Sequence, residues 1–155
     1  MARPLIRRAN LDDTEALADL RFAWGSESSP APVRRDEFRQ AFADWFRASS
    51  STHTPFLALV DELPVGMAWL ARLPRVIDTH ALHRLGGDLQ SVYVLPDHRD
   101  TGIGEQLVAA VLALAAEGGM EHVTVSSSSR AVSLYARSGF EVSPRLLKHV
   151  PAREP

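Results

Sequence analysis

The stretch from 88 to 117, DLQSVYVLPDHRDTGIGEQLVAAVLALAAE, constrains this chain more than any other. Its first seven residues are rich in β-branched and aromatic types and stop before Pro96, which has no N–H to give a sheet ladder. They predict a strand. Ile103, Leu107, Val111 and Leu114 recur at helical spacing and predict a long helix that begins inside the intervening turn. The first N–H groups of a helix have no partner within it, and a side-chain cap or an acid commonly fills the gap. Thr101 is placed to cap, but the third helical position would be Gly104, so no capping box can form. Gly102 and Gly104 each cost helix stability relative to alanine; what they supply is room for a ligand to approach the backbone. A strand, a glycine turn and a bare helix start make an anion site suited to phosphate. The same residues also fit an ordinary strand-to-helix turn, and the glycine pattern alone does not separate the two.

At 155 residues the chain is expected to be one domain, 1–155, with a substantial core. An apolar fraction of 45% and a charged fraction of 23% are those of a soluble globular protein. With no cysteine there is no disulfide, thiolate nucleophile or zinc–thiolate site, which suits the cytoplasm. The N-terminal MARPLIRR lacks the apolar run of a signal peptide, and no segment reaches membrane-spanning length, so no membrane association is expected. A net charge of -2 argues against a general nucleic-acid binder. No histidine or acid cluster has convincing metal-ligand spacing, so no metal is expected.

Taken in order, residues 5–8 read as a strand. Asp12 and Asp13 open a helix that runs to about Trp24, with Ala16, Leu17 and Leu20 on its apolar face. Residues 25–32 form a loop and 34–48 a second helix, whose stripe of Phe38, Phe42, Trp45 and Phe46 is assigned to the core. Strands at 55–60 and 65–72 flank a turn at 61–64, making a hairpin, and 73–87 is a long irregular connection. After the central helix come a strand at 122–126, a polar turn, and a short helix at 130–138 closed by Gly139. Strands are expected at 140–142 and 146–150. This order predicts an α/β fold: a mixed sheet with helices on both faces.

Two motifs carry a resemblance. Arg99-Asp-Thr-Gly102-Ile-Gly104 is similar to the Gln/Arg-x-x-Gly-x-Gly/Ala signature of the GNAT acetyltransferase superfamily, with a strand ahead and a long apolar helix behind. Downstream, Ala131-Val-Ser-Leu-Tyr135-Ala-Arg-Ser-Gly139-Phe140 resembles that family's second motif, in the right order and at the usual separation. Together the motifs cover roughly a third of the chain. The resemblance implies a mostly antiparallel sheet splayed between its fourth and fifth strands, with acetyl-CoA in the wedge.

By the same resemblance, Val92 and Val94 would bond pantetheine through backbone groups. Arg99, Asp100, Thr101, Gly102, Ile103, Gly104 and Glu105 would surround the pyrophosphate, chiefly through backbone N–H. The position where many members carry a cofactor-contacting asparagine is Ser128 here, with a shorter reach. The implied reaction is direct transfer of acetyl from the thioester to an acceptor amine, on a small molecule or a protein. Tyr135 would protonate the departing thiolate, which suits a phenol of pKa about 10 against a thiol of about 8.5. Tyr135 also lies on an apolar face with Ala131 and Val132, as a core tyrosine would. The backbone N–H near Val94 would polarise the carbonyl.

Where members place a glutamate on the fourth strand this chain has Gln90 and Ser91, which take no proton at neutral pH. Asp88, on the same strand face as Gln90, and Glu27, in the loop after the first helix, are the acids left to hold an ammonium or activate water; both also fit solvated surface positions. Trp24 and Glu27 on one side, and Asp88 and Gln90 on the other, are the expected acceptor-side residues, with the 25–32 and 73–87 loops flanking them. A non-catalytic acetyl-CoA-binding or regulatory module would keep the glycine turn without needing Tyr135. A P-loop nucleotide enzyme is disfavoured, because Lys148 is the one lysine and does not follow the glycines. A homodimer is compatible with the reading.

Overall fold

The computed structural model describes residues 2–153. In chain order the elements are β1 (Leu5–Arg8), α1 (Thr14–Gly25), α2 (Arg35–Ser49), β2 (His53–Val60), β3 (Leu63–Pro74), β4 (Leu85–Val94), α3 (Ile103–Glu117), β5 (Val123–Val125) and α4 (Val132–Arg137). The strands form one sheet in the order β1-β2-β3-β4-β5, antiparallel throughout except for the parallel β4–β5 pair. This is the mixed, mostly antiparallel sheet that the sequence predicts.

Helices cover both faces, and side-chain alternation sorts the sheet residues between them. Phe56, Ala58, Ala68 and Leu70 point to α3, where Leu107, Val108 and Val111 are fully buried. Leu57, Met67 and Trp69 point the other way, against Leu17, Leu20, Phe42 and Phe46 of α1 and α2. With both faces buried, the middle strands read as nearly continuous apolar runs rather than alternating ones. Each fully buried leucine or valine contributes on the order of 1.5–3 kcal/mol by leaving water.

Local chemistry explains where several elements start. Before α1 the chain makes a 3-10 turn, Leu11–Asp13, capped by Asn10, whose side chain accepts from the Asp12 N–H at 2.8 Å. Asp13 answers by accepting from the Asn10 N–H at 3.0 Å, which completes a capping box, so the helix proper opens two residues later than the aspartates suggest. The hairpin turn is also tighter than expected. Asp61 and Glu62 alone make it, both left-handed (φ 48° and 66°), and Pro64 already pairs with Leu59 in β3.

Two expectations are corrected. The 73–87 segment is not wholly irregular, since β3 runs on to Pro74 and β4 begins at Leu85, with Gly86 and Gly87 paired to Leu73 and Arg72. These glycines are strand positions with close neighbours: a Cβ on Gly87 would lie 2.7 Å from the Met120 sulfur. Neither C-terminal strand forms among the described residues. Val142, Leu146, Leu147 and Val150 lie exposed there, and apolar residues without a neighbouring strand or helix to cover them fix no ladder.

Two irregularities of β4 shape the end of the sheet. Gln90 faces Trp69 and Tyr93 faces Met67, so Ser91 and Val92 together oppose Ala68. This is a β-bulge, with Ser91 in the left-handed region at φ 53°. On its other side β4 pairs with β5 only through Gly87, Asp88 and Leu89. From Gln90 onward the two strands part and leave a wedge.

Candidate functional site

The wedge opens onto the start of α3. Gly102 is the N-cap residue, in the left-handed region at φ 81°, and no side chain among the described residues caps the helix. A Cβ built on Gly102 would meet nothing within 4 Å, so the glycine serves the backbone conformation and leaves open space in front of the helix. Thr101 is not a cap. Its hydroxyl donates to the His98 carbonyl at 2.6 Å, inside the preceding turn. Asp100 is also left-handed, at φ 58°. Left-handed residues in such a turn curve successive N–H groups toward one point, and the helix dipole adds its positive end. The unpaired donors and the dipole favour an anion at this place.

A cleft of about 360 Å³ fills the wedge. Val92 and Val94 of β4 form one side; Gly102, Ile103, Gly104 and Glu105 form its base. Ser128 and Leu134 close the far side, with Arg130 and Arg137 at the rim. Leu134 packs beside the helix start, 3.5 Å from where a Gly104 Cβ would stand. Arg137 is matched to Glu105, Nε to Oε1 at 2.7 Å, while Arg130 forms no ion pair among the described residues.

Trp24, Glu27, Arg99 and Asp100 also line the cleft. The Arg99 guanidinium is held twice. Its Nε donates to the Val94 carbonyl at 2.9 Å, and its Nη2 pairs with Glu27 Oε1. The same Oε1 accepts from the Tyr93 hydroxyl at 2.6 Å, and the Trp24 ring stacks on Tyr93 with centroids 5.5 Å apart. The Tyr93 bond, followed by the Arg99 bond and charge, keeps the Glu27 carboxyl below the usual carboxylate range despite its partial burial. Burial first, and then Glu27, pushes the Tyr93 phenol up to about 12. Glu27 Oε2 takes no hydrogen bond among the described residues.

Most residues expected around the cofactor therefore come together on one cleft, along with Trp24 and Glu27 from the acceptor list. Four expected site residues stand elsewhere. Thr101 faces into its own turn. Asp88 is spent inside the sheet, Oδ1 accepting from Thr124 and Oδ2 from Gln90, each at 2.8 Å. Gln90 lines a separate cavity on the α1–α2 face. Tyr135 is buried against Phe140, ring centroids 5.5 Å apart, and burial raises its pKa. Its hydroxyl makes no hydrogen bond among the described residues, yet it is not sealed off, since no buried side-chain oxygen among them lacks a partner. Residues 73–87 line neither cavity; Arg84 there binds Glu121 instead, Nε to Oε1 at 2.7 Å.

Tyr93, His98, Arg130 and Arg137 line the cleft without having been expected there. Arg130 and Arg137 did carry a signal, being seven apart in a predicted helix and so on one face. Tyr93 carried none, because strand alternation sends it away from Val92 and Val94 into the opposite core.

The family model described as acetyltransferase (GNAT) family matches residues 15–140. No curated protein matches the sequence significantly. Several solved structures share the fold. A predicted acetyltransferase from Clostridium acetobutylicum, solved with acetyl-CoA, is 14% identical, with 96% of each chain covered and a TM-score of 0.77. A GCN5-related N-acetyltransferase from Ralstonia eutropha JMP134 is 22% identical, with 96% of this chain and 99% of that one covered and a TM-score of 0.74. AAC(6')-Iy, in complex with the bisubstrate analogue CoA-S-monomethyl-acetylneamine, is 20% identical, with 98% and 100% covered and a TM-score of 0.73.

Proposed function

This chain belongs to the acetyltransferase (GNAT) family, and from that premise we propose that it transfers acetyl from acetyl-CoA directly to an acceptor amine, with Tyr135 as the proton donor to the leaving thiolate. The observation that carries the proposal is the uncapped α3 start at Gly102, opening onto the wedge where β4 and β5 part. It fits a pyrophosphate, with backbone donors at the base and Arg130 at the rim. The Clostridium neighbour, solved with acetyl-CoA, and AAC(6')-Iy, solved with a CoA-containing analogue, support the choice of co-substrate.

Acetyl-CoA supplies an activated acyl group on sulfur. The chain's own residues do the rest. The turn from Arg99 to Glu105 holds the pyrophosphate, and the backbone of Val92 and Val94, free of β5, orients the pantetheine. Arg99, tied to the Val94 carbonyl, fixes the end of β4 against the turn. In the transfer a nitrogen–carbon bond forms and a carbon–sulfur bond breaks. The amine's proton leaves to water, and the thiolate takes a proton from the Tyr135 hydroxyl, which water restores. A phenol of ordinary pKa, about 10, is already protonated at neutral pH, as a donor must be, and burial raises that of Tyr135 further. Glu27 is held ionised, and its free Oε2 can orient an ammonium or a water.

A second reading, a module that binds acetyl-CoA without turning it over, is favoured by one observation: the middle of β4 offers Gln90 and Ser91 rather than a carboxylate. One assay separates the two. The chain has no cysteine, so a thiol reagent reports CoA release without background. Amine-dependent thiol release across a panel of amines supports transfer; calorimetric binding of acetyl-CoA with no release for any amine supports the module.

A further inference from the structure

A second cavity, of about 340 Å³, lies on the α1–α2 face of the sheet. Phe38, Phe42, Trp45 and Trp69 form its apolar wall. The rings meet at angles rather than in parallel, Phe42 with Trp69 at 73° and Trp45 with Trp69 at 60°, as packed aromatic clusters do. The sequence assigns Phe38, Phe42 and Trp45 to the core. Phe42 and Trp69 are buried, but Trp45 is 41% exposed, so the cluster is open at its outer end.

Three polar residues share the cavity. Arg21 has no hydrogen bond or ion pair among the described residues, and its guanidinium lies 4.8 Å from the Trp24 ring centroid. The other arginines near by are matched: Arg35 and Arg39 both bind Asp19. Gln90 donates its amide to Asp88, which leaves Oε1 as an open acceptor. Ser91 is the bulge residue, and its neighbour Val92 lines the wedge, as does Trp24. Consecutive bulge residues thus line the two cavities, Ser91 one and Val92 the other, and the Arg21–Trp24 contact links their linings on the helix side.

Resting on the acetyl-transfer reading, we propose that this cavity seats the acceptor, and that the acceptor is an aromatic amino acid, an aliphatic primary amine carrying an aromatic ring and a carboxylate. The ring fits the Phe38–Trp45–Trp69 wall. The carboxylate pairs with Arg21, whose planar fork matches it. The amine donates to Gln90 Oε1 beside the bulge, on the side where the thioester would lie. A polycation fits badly, because Arg21 repels it and both Asp88 oxygens are already engaged.

The test uses the whole chain with phenylalanine, tyrosine and tryptophan against their decarboxylated counterparts phenethylamine, tyramine and tryptamine, with lysine and spermidine as cationic controls. The amino acids should exceed their counterparts in kcat/KM by at least about tenfold, the order of a hydrogen bond to a charged group. Arg21→Gln should bring that ratio near one, with thermal unfolding confirming the fold. Calorimetry with phenylalanine alone reads the pocket without chemistry. Phenylalanine binding that Arg21→Gln abolishes, with no transfer to any amine, supports the pocket and sinks the transfer reading. Transfer to amines without the aromatic-acid preference, or with the preference intact in Arg21→Gln, overturns the pocket assignment and leaves transfer standing. Neither binding nor transfer overturns both.

Discussion

The Tyr93 hydroxyl donates to Glu27 Oε1 at 2.6 Å, joining β4 to the loop after α1 across 66 residues of sequence. Arg99 takes the same oxygen, so the three side chains tie the loop after α1, the bulged strand and the glycine turn into one unit.

That unit has an acid limit. Glu27 is lowered in the folded state from 4.5, first by Tyr93, so its contribution to stability is present above 4.5 and is lost as pH falls through the depressed value. Tyr93→Phe removes the largest cause. In urea unfolding, the variant should be less stable than wild type at neutral pH, with the gap narrowing below pH 4.5. A gap of constant size at both would mean that the Glu27 charge does not depend on Tyr93.

It also has an alkaline limit. Tyr93 is raised to about 12, so the stabilisation of its neutral form is complete below pH 10 and is lost as pH rises through about 12. Tyr135, the other of two tyrosines, is raised by burial. Ultraviolet absorbance of the folded protein at pH 10 should show less phenolate than two unperturbed tyrosines, each half ionised there, would give. Half-titration there would contradict the burial of both rings.

The glycine turn separates strain from obstruction. Gly102→Ala introduces no clash, but it forces a Cβ into the left-handed region at φ 81°, which should cost about 1–2 kcal/mol in denaturant unfolding. A Cβ at Gly104 meets only the Leu134 side chain, at 3.5 Å, so Gly104→Val should keep the fold. Its isopropyl group would stand over the anion site, so acetyl-CoA affinity by calorimetry should drop by about tenfold or more. Full affinity in a folded Gly104→Val protein would mean that the turn does not hold the pyrophosphate.

For Tyr135→Phe, one hydroxyl goes and little volume changes, so acetyl-CoA binding should persist. Single-turnover acetyl transfer should slow by about 10²–10⁴-fold, the range for a lost general acid. Because product release limits many enzymes, steady-state rates would understate the loss. A wild-type single-turnover rate would reduce Tyr135 to a packing partner of Phe140.

Leu107 tests the frame beneath the site. It is fully buried between α3 and the sheet, so Leu107→Ala should cost about 2–5 kcal/mol in urea unfolding. A loss under about 1 kcal/mol would place it outside the well-packed core.

Sequence alone determined the strand–turn–helix of β4 and α3, because the forces there are local. Helical periodicity fixes α3, and Gly102 sits where a left-handed N-cap needs no Cβ. It determined the sheet class as well, since order and alternation of elements leave few ways to cover both faces. Where local signals conflicted with packing, they misled. Gly86 and Gly87 look like loop residues but are strand positions with close neighbours, and the apolar residues after α4 look like strands but pair with no strand among the described residues. The parting of β4 from β5 after Leu89, the bulge at Ser91, the Glu27–Tyr93–Arg99 contact and the open end of the aromatic cluster were decided only by tertiary structure. Each depends on where separate elements come to rest against one another, and that is set by the summed burial of the two cores rather than by the backbone preferences of any one stretch.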